Sequence, residues 1–125
     1  MTELILHRPD ARPDAIEASW TAVCLLEDLE EFWGEAALIG NEQVALFRLP
    51  GDTLHAVGNI DPRTGAAVMA RGIVGSRGAR STIASPLHKE VYDLETGACF
   101  SGGVGLPAYR ARCVDGVVEV SSPAA

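Results

Sequence analysis

From Trp20 onward the chain alternates short apolar runs with turn residues, and no segment keeps a helical period for long. Trp20–Leu25 reads as a first strand, and residues 27–32 as at most one helical turn with its acids facing water. Residues 36–39 and 43–49 form a predicted hairpin through Gly40-Asn41-Glu42, after which Pro50-Gly51-Asp52 turns the chain into a strand over 53–57. Residues 81–84 and Val91–Asp93 are further strand-like runs, the second followed by the turn Glu95-Thr96-Gly97. Near the end, residues 108–114 and 117–120 flank Asp115-Gly116, a pair suited to a type I′ turn because both positions need φ > 0. Short strands with turn signals every 8–12 residues predict an all-β antiparallel sandwich or small barrel.

Residues 1–18, with Pro9 and Pro13 and no apolar period, read as a mobile leader, leaving one domain over 19–122. A chain of 125 residues is long enough for a single core. The first residues lack an apolar core and carry Glu3, Asp10, Asp14 and Glu17, unlike secretory or mitochondrial leaders, so the expected location is cytoplasmic. No apolar run is long enough to span a membrane. Cys24, Cys99 and Cys113 form no C-x-x-C pair and read as buried thiols in strands. The net charge of −7 disfavours nucleic acid and anionic membranes as partners. That charge is uneven: residues 59–80 hold Arg63, Arg71, Arg77 and Arg80 against Asp61, a net of +3, which leaves −10 on the remainder.

Two loops carry the candidate chemistry. Asn59 and Asp61 follow the run 54–58, and Ser85-Pro86-Leu87-His88 follows the run 81–84. The arrangement resembles a Rieske iron–sulfur site, in which C-x-H and C-x-x-H loops supply two thiolates and two imidazoles. Here the four positions read Asn59, Asp61, Ser85 and His88, so three of the four ligands are missing. Around them stand V-G-N-I-D-P at 57–62, V-M-A-R-G-I-V-G at 68–75, A-S-P-L-H-K at 84–89 and V-Y-D-L-E-T-G at 91–97. The last is widespread among Rieske domains. N-x-D combined with R-G-I-V-G and S-P-L, and the 23 residues between Asp61 and Ser85, are more specific. On these residues the chain resembles the Rieske-like fold, and more narrowly the small subunit of cytoplasmic NAD(P)H-dependent nitrite reductase, over about residues 18–121.

The resemblance implies a large catalytic partner subunit carrying FAD, an iron–sulfur cluster and sirohaem, in a complex that uses NAD(P)H to reduce nitrite to ammonia. In this chain no catalytic residue and no bound cofactor or metal is expected. An amide, a carboxylate and a neutral hydroxyl are poor substitutes for thiolate and imidazole, and His88 alone cannot hold a cluster. Asn59, Asp61 and Ser85 have a plainer use, capping their own turns, and His88 reads as a packed or hydrogen-bonded loop residue. Three functional readings follow: a non-catalytic oxidoreductase subunit, a cluster-free interaction module serving another enzyme, and a ferredoxin-type component of an oxygenase, which the missing ligands disfavour. For the subunit reading, Arg63, Arg71, Arg77, Arg80 and Lys89 are the candidate docking cations, facing an acidic patch on the large subunit.

Overall fold

In the computed structural model, residues 20–121 are described; the leader over 1–18 and the domain-end positions 19 and 122 lie outside them. Among the described residues nine strands form: β1 (Trp20–Leu25), β2 (Gly34–Ile39), β3 (Glu42–Leu49), β4 (Thr53–Gly58), β5 (Ile73–Arg77), β6 (Arg80–Ala84), β7 (Val91–Asp93), β8 (Ala108–Val114) and β9 (Val117–Ser121). They pair antiparallel in a six-stranded sheet of order β1-β9-β8-β4-β3-β2 and a three-stranded sheet of order β5-β6-β7. The outer strands of the larger sheet, β1 and β2, come alongside each other, so that sheet is a nearly closed barrel.

Strand β3 explains how the two sheets share one molecule. Its run Val44-Ala45-Leu46-Phe47 is buried on both faces, as expected of a near-continuous apolar strand. Val44 and Leu46 fill the barrel with Leu29, Ile39, Ala56, Val118 and Val120. Ala45, Phe47 and Leu49 point the other way, against Met69, Ile83, Tyr92 and Leu94 beneath the smaller sheet. Each fully buried side chain of this size contributes about 1.5–3 kcal/mol.

Three expectations are corrected. The helical turn over 27–32 shortens to a 3-10 turn at Leu26–Asp28, because Glu31 bridges to Arg48 and Phe32 takes φ 71°. Strand β5 was not foreseen: Ile73-Val74-Gly75-Ser76-Arg77 has little apolar pattern, and its conformation comes from full pairing with β6. The cysteines are not uniformly buried in strands. Cys24 is half-buried in β1, Cys99 lies in the loop after β7, and Cys113 is exposed on β8. Strand β8 pairs with β4 only through Tyr109 and Ala108, so its distal half, including Cys113, has an open edge. The turn at Asp115-Gly116 has φ 52° and 80°, as its sequence requires.

Candidate functional site

The two loops join at a buried carboxylate. The first runs from Asn59 to Gly72 between β4 and β5. It is fastened by Asn59, whose carbonyl accepts from Met69 N–H (3.0 Å) and whose Oδ1 accepts from Ala70 N–H (2.8 Å). Its amide nitrogen donates to Gln43 Oε1 on β3 at 3.2 Å. Asn59 therefore closes its own loop over eleven residues rather than capping a local turn. Asp61 does cap locally, accepting the Arg63 N–H at 2.9 Å, and Gly65 N–H closes the turn on the Asp61 carbonyl at 2.7 Å.

The second loop, residues 85–90 between β6 and β7, folds back on Ser85. The Ser85 N–H donates to the Glu90 carbonyl (2.9 Å), Lys89 N–H to the Ser85 carbonyl (3.0 Å) and Leu87 N–H to Ser85 Oγ (3.2 Å). Glu90 N–H donates to His88 Nδ1 at 3.2 Å, which leaves the ring proton on Nε2.

Across the gap, Ser85 Oγ–H donates to Asp61 Oδ2 at 2.7 Å, and His88 Nε2–H straddles the same carboxylate at 2.8 and 2.9 Å. Asp61 and Ser85 are fully buried. Burial alone would raise the Asp61 pKa, but the hydrogen bonds from His88, Ser85 and the Arg63 N–H outweigh it and hold the carboxyl down at about 2. Arg63 adds a peripheral tie to Glu90 at 3.4 Å. The Tyr92 hydroxyl lies fully buried nearby without a partner among the described residues, and burial followed by the Asp61 charge pushes its pKa up. Of the four predicted positions, the structure thus brings Asp61, Ser85 and His88 into one network and places Asn59 beside it, anchoring the first loop. Gln43 and Glu90 also belong to the site; neither carried a sequence signal.

The predicted docking cations divide. Arg80 binds Asp93 (2.6 Å) and Glu95 (3.5 Å), while Arg77 lies over the Phe100 ring at 4.8 Å. Both flank the far turn of the β5–β6 hairpin, since Arg77 pairs with Arg80 while Ala84, beside Ser85, pairs with Ile73. Arg63 is tied to Glu90. Arg71 and Lys89 sit at the loops and make no ion pair among the described residues.

A nearly closed antiparallel barrel, a small second sheet and two loops meeting between them define a Rieske-like domain. The chain belongs to that family: the description Rieske-like [2Fe-2S] domain matches residues 19–121. Within it, this chain is a homologue of the small subunit of NADH nitrite reductase. The Escherichia coli (strain K12) nitrite reductase (NADH) small subunit is 35% identical over 105 residues, spanning 82% of this chain and 97% of that protein. The crystal structure assigned as an NADH-dependent nitrite reductase small subunit from Mycobacterium tuberculosis superposes with a TM-score of 0.82 at 42% identity, covering 86% of this chain and 98% of that one. A third match lies within a longer protein. The nitrite reductase [NAD(P)H] large subunit of Klebsiella oxytoca is 34% identical over 104 residues, 82% of this chain but 11% of that protein.

The cluster in the family's description does not fit the donors here. A two-iron Rieske centre requires two thiolates on one iron and two imidazoles on the other. Asn59 is engaged with Ala70 and Gln43, and both Asp61 oxygens and the Ser85 hydroxyl are engaged with one another, His88 and backbone. Cys24 and Cys113 lie on β1 and β8, and Cys99, in the loop after β7, is bridged to Tyr92; none of the three occupies one of the four ligand positions. Among the described residues no three of His, Cys, Asp and Glu converge to hold a metal ion. No helix among them is long and apolar enough to cross a membrane.

Proposed function

We propose that this chain is the small, non-catalytic subunit of a cytoplasmic NAD(P)H-dependent nitrite reductase. It binds the large FAD- and sirohaem-bearing subunit and supports its reduction of nitrite to ammonia without carrying a cluster. One observation carries the reading: a Klebsiella nitrite reductase large subunit contains, within one polypeptide, a stretch 34% identical to this domain. A domain that works fused to the large subunit in one protein and separately in another is suited to associate with it. The hydrogen-bonded loop junction supports the same reading, since it leaves the chain no evident redox role of its own. Of the candidate docking cations, Arg71 and Lys89 are the two available to steer that association; Arg63, Arg77 and Arg80 are engaged within the chain.

The test is co-expression with the large subunit, followed by purification through a tag on this chain and assay of NAD(P)H-dependent ammonia formation. Co-purification with turnover is expected, and no turnover by this chain alone. Nitrite reduction by the isolated chain, or a large subunit that never co-purifies, would overturn the reading.

A further inference from the structure

An aromatic knuckle stands beside the first loop. Phe32 is 54% exposed and Trp33 65% exposed, although both are large apolar side chains next to each other in sequence. Single exposed apolar residues are ordinary; two adjacent aromatics above a groove are not. Phe32 also has φ 71°, a left-handed backbone that a bulky residue rarely adopts. The surroundings fix that conformation: Glu31 bridges to Arg48, Phe32 N–H donates to the Arg48 carbonyl at 2.9 Å, and Gly34 packs on the Ala70 carbonyl with no room for a Cβ. A chain reversal forced between these two anchors turns both rings outward.

At the foot of Phe32 opens a groove of about 360 Å3, lined by Leu49, Pro50 and Thr53 on one side and by Val74, Gly75 and Ser76 of β5 on the other. Strand β5 is the outer strand of its sheet, and Ile73 at its start is exposed as well. The unpaired charge on the segment that carries the knuckle is acidic, since Arg48 beneath it is paired with Asp52 and bonded to the Leu26 and Leu29 carbonyls. Glu27, Asp28, Glu30, Glu31 and Glu35 are all exposed, and among the described residues none makes an ion pair. Five exposed carboxylates on the segment that carries the aromatic pair fit a cationic partner surface, because complementary charge steers and orients encounter while buried aromatics supply most of the affinity.

We infer that the Phe32–Trp33 knuckle and the groove below it are a docking face for a protein surface with an apolar slot rimmed by Lys and Arg. Resting on the proposed function, we assign that surface to the large subunit of the reductase. Arg71, on the 3-10 turn that packs against Gly34, adds a cation at one end of the acidic face. A face acidic at one end and basic at the other admits one orientation of the partner.

The experiment measures binding of the full chain to the purified large subunit by calorimetry and by association kinetics at two ionic strengths. Trp33→Ser and Phe32→Asn remove the rings; asparagine tolerates the left-handed backbone, so the fold is kept, which circular dichroism and melting check. Each is expected to weaken binding at least tenfold, mainly through faster dissociation. Glu30→Lys with Glu31→Lys is expected to slow association and reverse its salt dependence. Leu38→Ser and Val104→Ser, exposed apolar residues elsewhere, are expected to change nothing. If wild type binds and both aromatic variants bind within twofold of it, this docking face is wrong while the subunit reading stands. If wild type itself does not bind, the subunit reading fails and this assignment with it.

Discussion

Asp61 is the residue on which the two loops depend, and its chemistry sets a pH signature. A carboxylate receiving Ser85 Oγ–H, His88 Nε2–H and the Arg63 N–H is stabilised in its charged form, so its folded pKa lies at about 2 against an ordinary 3.8. The folded value is the lower one. The stabilisation is therefore fully present above the unfolded pKa and fades as pH falls from about 4 toward 2. The size of the shift corresponds to roughly 2 kcal/mol. Many carboxylates titrate in that range, so the comparison must be differential. Asp61→Asn cannot accept from both side-chain donors and leaves one buried and unpaired, a loss expected to exceed about 2 kcal/mol at pH 7. In urea denaturation at pH 7, 4 and 2.5, the gap between wild type and Asp61→Asn should shrink by roughly 2 kcal/mol toward the lowest pH. A gap that stays constant would mean that Asp61 is not the charged hub of the junction. The sequence displayed Asp61, Ser85 and His88 as separate loop residues suited to local capping. Their joint role was not legible because the partners are 24 and 27 residues away, and only the packing of β4 against the smaller sheet closes that distance.

Among the elements, the turn after β7 shows why one sequence motif is tied to the fold. Asp93 Oδ1 accepts Glu95 N–H (2.7 Å) and Thr96 N–H (3.0 Å), its other oxygen accepts Arg80 Nε–H, and Gly97 N–H returns to the Asp93 carbonyl. Gly97 then has φ 81° and lies against the Leu106 carbonyl, where a Cβ would collide. Gly78, at the β5–β6 turn, has φ 59° but open space around it. Alanine at Gly78 should cost about 1 kcal/mol for the backbone conformation alone. At Gly97 it should cost several times that, since backbone rather than a movable side chain stands in the way. Equal midpoints for Gly78→Ala and Gly97→Ala in chemical denaturation would contradict this. Most elements were readable because their pattern is local. The continuous apolar run of β3, the Asp115-Gly116 turn and the first strand Trp20–Leu25 all appear where the sequence places them. Strand β5 was not readable, because Gly75, Ser76 and Arg77 become a strand only through the partner β6. The glycine-rich stretch 102–105 reads as a flexible connection, yet Gly105 packs on the Gly97 carbonyl and Leu106 N–H donates to it at 2.8 Å.

For the molecule as a whole, the question is what fastens the loop pair to the barrel. In a cluster-bearing domain the metal ties four loop residues together, and its removal takes binding free energy out of the folded state. Here the ties are hydrogen bonds between protein groups: Asn59 to Ala70 and Gln43, Asp61 to Ser85 and His88, Arg63 to Glu90. Met69 and Tyr92, fully buried between the two sheets, extend the same junction into the core. Stability should then be independent of iron. The chain purified without air should be colourless, with no stoichiometric iron or acid-labile sulfide. Its melting temperature should be the same, within about 1 °C, in buffer, in EDTA and in dithionite. By the usual scaling, losing even 1 kcal/mol from a domain of this size would lower the midpoint by roughly 4 °C, so the measurement can resolve a missing metal. A fall of that size in chelator, or recovery of iron and sulfide together, would show that other residues hold a cluster and that the loop junction is not self-sufficient.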